Sequence, residues 1–313
     1  MGIKERRTLI TGTNGFLASR LVDFVEGEVF GISRCDNHKT GEKKCTVLYG
    51  DILDLEFIKR VLSDYEITHI YHLAAQSIVR IANSNPDYAF RDNVMGVVNI
   101  LEAVRQINPN IKCIIASSDK SYGEHITLPY TEDMALQASD TYSTSKACGD
   151  LVAQCYHRAY GLNLNIIRSA NIFGAGDMNL SRIIPNTILK ILNEQRPVIY
   201  SGVMGYKREF IYVDDVCEAY KFIAEKGIPG EAYNVGTDRE SHVLTIGSLV
   251  EKICELMNWK GGVEIVDKSF SEITTQYLSS KKIHDLGWVE KTPMSDGLRK
   301  TINWYENKFG KKV

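Results

Sequence analysis

Tyr142 and Lys146 stand four residues apart in Tyr142-Ser143-Thr144-Ser145-Lys146, which puts a phenol and an ammonium on one face of a helix. A lysine beside a tyrosine hydroxyl, with a positively charged hydride acceptor close by, favours the phenolate and draws the phenol pKa down toward working pH. Such a tyrosine can accept the proton of an alcohol while the alcohol carbon gives up hydride. The spacing alone recurs by chance on surface helices. Its weight comes from the upstream run Ala116-Ser117-Ser118, whose final hydroxyl can share the same substrate oxygen.

Hydride needs an acceptor, and Thr11-Gly12-Thr13-Asn14-Gly15-Phe16-Leu17-Ala18 offers a place for one. Gly12 can take the tight turn, and Gly15 lets backbone N–H groups approach a pyrophosphate at a helix N-terminus. Asn14, Phe16 and Leu17 belong to the same turn, and Ala18 is small enough for close helix–strand packing. The reading is a nicotinamide dinucleotide site. Downstream, Val29-Phe30-Gly31-Ile32-Ser33-Arg34-Cys35-Asp36 places Ser33 where a carboxylate would hold the ribose of NAD. Arg34 follows as a clamp for a 2′-phosphate, so NADP is preferred, with NAD the alternative should Asp36 curl back to the ribose. Asp51 and Ile52 are expected to bracket the adenine. Leu73, Ala74 and Ala75 would pass beneath the cofactor, and Gln76 would face the substrate.

These residues need a scaffold. Thr8–Thr11, Val29–Ile32, Val47–Tyr49, His69–Leu73, Cys113–Ser117 and Leu164–Arg168 read as six buried strands. Between them Phe16–Phe24, Leu55–Leu62, Asn93–Gln106 and Ser143–Tyr160 carry helical periodicity. That alternation predicts an α/β fold, a Rossmann-type doubly wound parallel sheet. After about residue 171 it loosens, which predicts a smaller C-terminal substrate-binding lobe. The expected division is a dinucleotide-binding domain over 1–171 with a returning segment 208–235, and a lobe of 172–207 and 236–313.

The 313 residues are 44% apolar and 24% charged, ordinary for a globular chain, and suffice for about two domains. Thirty-seven basic against thirty-nine acidic side chains leave a net charge of -2 and no basic field for a nucleic acid. No apolar run approaches a membrane span, and no apolar stretch follows the basic start Met1–Arg7, so neither a membrane nor a signal peptide is expected. Seven cysteines without a C-x-x-C pair fit reduced thiols and a cytoplasmic location. His69, His72 and His125 form no metal-ligand spacing, and no metal is expected.

The glycine turn, the Ser118/Tyr142/Lys146 set and Arg168-Ser169-Ala170-Asn171-Ile172-Phe173-Gly174 together resemble the extended short-chain dehydrogenase/reductase family. Arg208-Glu209-Phe210-Ile211-Tyr212-Val213-Asp214-Asp215 and Leu286-Gly287-Trp288 are similar to its later signatures. The resemblance implies a lobe that binds a nucleotide-diphosphate hexose, and a homodimer.

Within that family Ser118-Asp119-Lys120 is the informative stretch. Epimerases commonly carry small or hydrophobic residues after the serine, whereas 4,6-dehydratases carry an acid and a base. Asp119-Lys120 resembles the pair of the CDP-glucose 4,6-dehydratases, where the dTDP-glucose and GDP-mannose enzymes place Glu as base. The resemblance therefore implies a 4,6-dehydratase with Asp119 as a protonated acid and Lys120 as a neutral base. A 4-epimerase, a 4-keto reductase or a non-catalytic dinucleotide sensor are the alternatives, with Asp119-Lys120 then a strand-end ion pair. Asn171 matches a position that contacts the sugar phosphate, and Arg182 and Arg208 can fork onto phosphate oxygens. Ser271–Tyr277 lacks the further arginine of many relatives.

Overall fold

The computed structural model describes residues 6–35, 45–268 and 272–310; Asp36 and Ser271, both singled out above, lie outside them. Seven short, apolar strands line up in parallel. They are β1 (Arg7–Thr11), β2 (Glu28–Ser33), β3 (Thr46–Tyr49), β4 (His69–His72), β5 (Lys112–Ala116), β6 (Leu164–Ser169) and, arriving late, Ala232–Val235. Their order from that last strand is Ala232–Val235, β6, β5, β4, β1, β2, β3. Every neighbouring pair is parallel, with Leu9 opposite Phe30 on one side and Ile70 on the other. Buried on both faces, such strands must be apolar throughout, and Leu9, Ile10, Ile114 and Ile166 are each at most 1% exposed.

The helices cover both faces: α1 (Phe16–Leu21), α2 (Leu55–Asp64), α3 (Val79–Ser84), α4 (Pro86–Phe90), α5 (Gly96–Ile107) and α6 (Thr141–Tyr160). Local chemistry sets their ends. Asp54 caps α2 by accepting from Phe57 N at 2.9 Å, and Asp140 caps α6 by accepting from Ser143 N at 3.1 Å. Gly161 ends α6 in the left-handed region at φ 67°. Asn93, expected to open a helix, instead sits in a π-helical segment, Arg91–Met95, that leads into α5.

The remaining chain adds β7 (Asn171–Phe173), α7 (Ile183–Leu192), β8 (Val198–Tyr200), β9 (Lys207–Tyr212) and α8 (Val213–Lys226). The seventh strand of the large sheet, Ala232–Val235, is β10, and β11 (Val243–Thr245), β12 (Glu264–Val266) and β13 (Thr275–Gln276) follow. Strand β9 pairs antiparallel with β11 and parallel with β7 and β13 in a second sheet, while β8 and β12 form a separate pair. Segment 208–235, expected to return as a unit, thus divides. Its strand β9 stays in the second sheet, and only α8 and β10 return. The reason is edge pairing: β10 bonds to β6, whereas β9 is held by three strands of the second sheet. Among the described residues no helix is long and apolar enough to cross a membrane.

One buried ion pair ties α6 to β6. Arg168 donates to Asp150 through Nε at 2.8 Å and Nη2 at 3.0 Å, and through Nη1 to Tyr122 Oη at 2.9 Å. Both ionic side chains are at most 3% exposed. Removing one partner leaves a buried charge uncompensated, so Asp150→Ala is expected to lower stability by about 3–5 kcal/mol, read by urea denaturation.

Candidate active site

The glycine turn closes as its residue types require. Gly12 has φ 73°, and a Cβ there would stand 2.9 Å from Ala74 Cα, so the turn packs directly on the chain leaving β4. Thr11 fixes that approach: its Oγ1 accepts from Leu73 N at 3.1 Å and Ala74 N at 3.0 Å, and meets His72 Nδ1 at 2.9 Å. Burial holds His72 near pKa 3, so the ring is neutral and structural. Asn14 donates to Ser33 Oγ at 2.7 Å and to Cys35 O at 3.1 Å, tying the turn to the end of β2.

On the other side of β1, the chain leaving β5 makes a 3₁₀ turn over Asp119–Tyr122 capped by Ser118, whose Oγ accepts from Lys120 N at 3.2 Å. Ser118 interacts with the Tyr142 phenol, favouring its ionised form, and donates to Asp119 Oδ1 at 3.0 Å. A buried chain therefore runs from Tyr142 through Ser118 to Asp119. Asp119 is 3% exposed, and among the described residues its Oδ2 has no hydrogen-bond partner and no ion pair joins it to Lys120. Burial holds its carboxyl above the usual carboxylate range, the Lys120 charge notwithstanding. Lys120 is half-buried on the same turn.

Lys146, 9% exposed, donates to Ala116 O, and burial lowers its ammonium to about 8. In the protein by itself the Tyr142 phenol is pushed up, whereas the lowering expected from the sequence depends on the positive hydride acceptor as well as Lys146. Burial outweighs the Ser118 interaction, and the cation acting on the phenol is Arg182, since Lys146 is turned to the β5 carbonyl. Asn93 holds this wall together, donating to Ser145 Oγ at 2.8 Å and accepting from Gln76 N at 2.7 Å.

The glycine turn, the end of β2, the Ser118–Lys120 turn, Tyr142 and Lys146 open onto one cavity of about 1430 Å³ at the carboxyl ends of β1, β4 and β5, where the strand order reverses. Gly12, Asn14, Gly15, Phe16 and Leu17 line it with Ser33, Arg34, Ile52 and Leu73–Ala75. Ser118–Lys120, Tyr142, Lys146, Asn171, Arg182 and Arg208 line its further part. Two of the expected contacts do not. Asp51 turns back to accept from Leu53 N at 3.0 Å, and Gln76 Oε1 accepts from Ile78 N at 3.1 Å, so each side chain completes its own loop.

Against known proteins, residues 8–236 match the NAD dependent epimerase/dehydratase family. The chain belongs to that family. A bovine dTDP-D-glucose 4,6-dehydratase is 30% identical over 324 residues, covering 97% of this chain and 90% of that protein. A putative UDP-glucose 4-epimerase of Methanocaldococcus jannaschii is 30% identical over 308 residues, covering 96% and 98%. Among solved structures, the dTDP-glucose 4,6-dehydratase of Bacillus anthracis in complex with NAD superposes with a TM-score of 0.86 at 25% identity, covering 98% of this chain and 99% of that one.

As a member of the epimerase/dehydratase family the chain uses a nicotinamide dinucleotide, and the residues present fit one: Gly12, Asn14 and Gly15 line the cavity where the first strand turns into α1, at the point where the strand order reverses. On the substrate side the arginines are already engaged. Arg182 donates to Asp177 Oδ2 at 3.0 Å, and Arg208 donates to the carbonyls of Lys207, Ile273 and Thr274. Asn171 donates to Glu209 O at 3.1 Å. Sequence reasoning missed Thr11, Asp92, Tyr200 and Lys268, of which the last three line the cavity. A threonine ending β1 opposite a histidine ending β4 was the available signal for the first.

Proposed function

We propose that the chain is a nucleotide-diphosphate-sugar 4,6-dehydratase that forms a 4-keto-6-deoxy sugar. The observation that carries this reading is Asp119, a buried carboxyl with an unpartnered oxygen, held toward its protonated form and hydrogen-bonded to Ser118. A 4-epimerase needs only a proton acceptor at C4, whereas loss of water from C5–C6 needs a proton donor for the departing hydroxyl. The cavity, larger than a site for one drug-sized ligand, suits a dinucleotide and a nucleotide sugar together.

In this reading Tyr142, beside Ser118, takes the C4 hydroxyl proton. The dinucleotide, when bound, supplies the acceptor for the C4 hydride and its later return to C6. Once C4 is a ketone the C5 proton is acidic, and Lys120 removes it while Asp119 gives its proton to the C6 hydroxyl. Lys146 serves the cofactor side of Tyr142, and Asn171, Arg182 and Arg208 serve the sugar diphosphate. Arg34 at the end of β2 favours NADP over NAD. The partner is a second copy of the chain, for which Leu151 and Tyr160 of α6 are exposed by 52% and 54%; the location is the cytoplasm.

The test is mass spectrometry of CDP-, GDP-, UDP- and dTDP-hexoses incubated with the purified protein. One of them is expected to lose the mass of one water. An unchanged mass with a new epimer seen by NMR would transfer the reading to a 4-epimerase.

A further inference from the structure

Arg34 is half exposed at the cavity rim, yet its guanidinium is held. Nη2 donates to Tyr88 Oη at 2.6 Å, Nη1 stands 3.3 Å from Asp92 Oδ2, and the guanidinium carbon lies 5.6 Å from the centre of the Tyr88 ring. The partner on the inner side is unusual. The Asp92 side chain is 4% exposed, against 51% for Arg34, and among the described residues its Oδ1 has no hydrogen-bond partner. A carboxylate is rarely buried to that degree with so little bonding.

Asp92 reaches this place because of the π-helical segment Arg91–Met95. Such segments insert a residue into the helical turn and occur frequently at functional sites. Here two adjacent residues are both buried and serve different walls: Asn93 holds Gln76 and Ser145, and Asp92 meets Arg34. Ser33, the last residue of β2, is neutral and occupied with Asn14 and Cys35. Among the described residues, the end of β2 therefore brings no carboxylate to the ribose side of the site and brings the held guanidinium of Arg34. Its contacts to Tyr88 and Asp92 run through the two Nη atoms, and a guanidinium has further N–H donors to offer a phosphate.

We propose that Asp92 and Tyr88 are positioning residues that hold the Arg34 guanidinium as a receptor for the 2′-phosphate of NADP, and that this trio sets the dinucleotide preference. A loose surface arginine must be ordered when the phosphate arrives; a braced one is already ordered, and that difference goes into affinity. The inference is independent of the dehydratase reading, because an epimerase or reductase would bind the same dinucleotide.

The experiment measures binding of NADPH and NADH to the full chain by fluorescence titration, with 2′,5′-ADP and 5′-AMP as competitors. Wild type is expected to bind NADPH tighter than NADH by about tenfold or more, and Arg34→Ala to bring the two close to parity. Asp92→Asn and Tyr88→Phe are expected to weaken NADPH by roughly three- to tenfold while NADH stays within about twofold. Equal losses for both dinucleotides would show a merely structural role and overturn the proposal. So would tighter NADPH binding by Asp92→Asn, which would mean that Asp92 competes with the phosphate for Arg34. Tighter NADH binding by wild type would overturn it as well, leaving Asp92 as a ribose-hydroxyl acceptor. Binding of neither dinucleotide would remove the proposal together with the site.

Discussion

Tyr142→Phe is expected to slow the first half-reaction, seen as reduced nicotinamide absorbance in a single turnover, by roughly 10²–10⁴-fold. The phenol beside Ser118 is the proposed acceptor of the substrate proton, and phenylalanine keeps its packing while deleting the acceptor. Dinucleotide affinity should change little, because the glycine turn and the end of β2 are untouched. The pH profile carries a second signature. Burial pushes the phenol up, and the reactive form is the deprotonated one, so the wild-type rate should climb as pH rises into the alkaline range. The residual rate of Tyr142→Phe should lose that climb. Arg182 is the cation that acts on the phenol, so Arg182→Gln should move the rise to still higher pH. A phenylalanine variant with the wild-type rate would mean that another group removes the C4 proton.

The large sheet was legible because its strands are buried on both faces. Runs such as Thr8–Thr11 and Leu164–Arg168 could be read to within a residue or two of β1 and β6. The cavity was legible for a related reason: glycine and serine at strand ends, with a tyrosine in the first turn of α6, leave few alternatives to a site at the carboxyl edge. What stayed hidden depends on where side chains turn after a strand stops. Asp51 and Gln76 occupy the expected loops, yet each bonds to a backbone N–H two residues on, an outcome that short local geometry decides. Asp92 was invisible because periodicity assumes a regular helix, and the π-helical segment shifts which residue faces inward. Spacing puts Lys146 on the same helix face, but it does not reveal that Ala116 O takes the ammonium.

Asp119→Asn separates the competing chemistries more sharply than any other substitution. Asparagine is nearly isosteric and can still accept from Ser118, so the buried chain from Tyr142 survives; what disappears is a transferable proton. If the chain eliminates water, dehydration should fall by roughly 10²–10⁴-fold while C4 oxidation continues. Reduced nicotinamide would then accumulate in the presence of sugar nucleotide, and product lacking one water would not. The proton-bearing form of Asp119 is the active one, and burial raises its carboxyl, which extends that form upward in pH. Wild-type elimination should accordingly decline as pH rises through the raised value, and this decline should be absent from the residual activity of Asp119→Asn. Lys120→Met supplies the complementary case, with C5 proton exchange into solvent lost together with elimination. A 4-epimerase would respond otherwise: hydride returns to the carbon it left, no hydroxyl departs, and turnover of Asp119→Asn would stay near that of wild type. In both readings Tyr142 and Ser118 act at C4, so the steps at Asp119 and Lys120 are what distinguish the two enzymes.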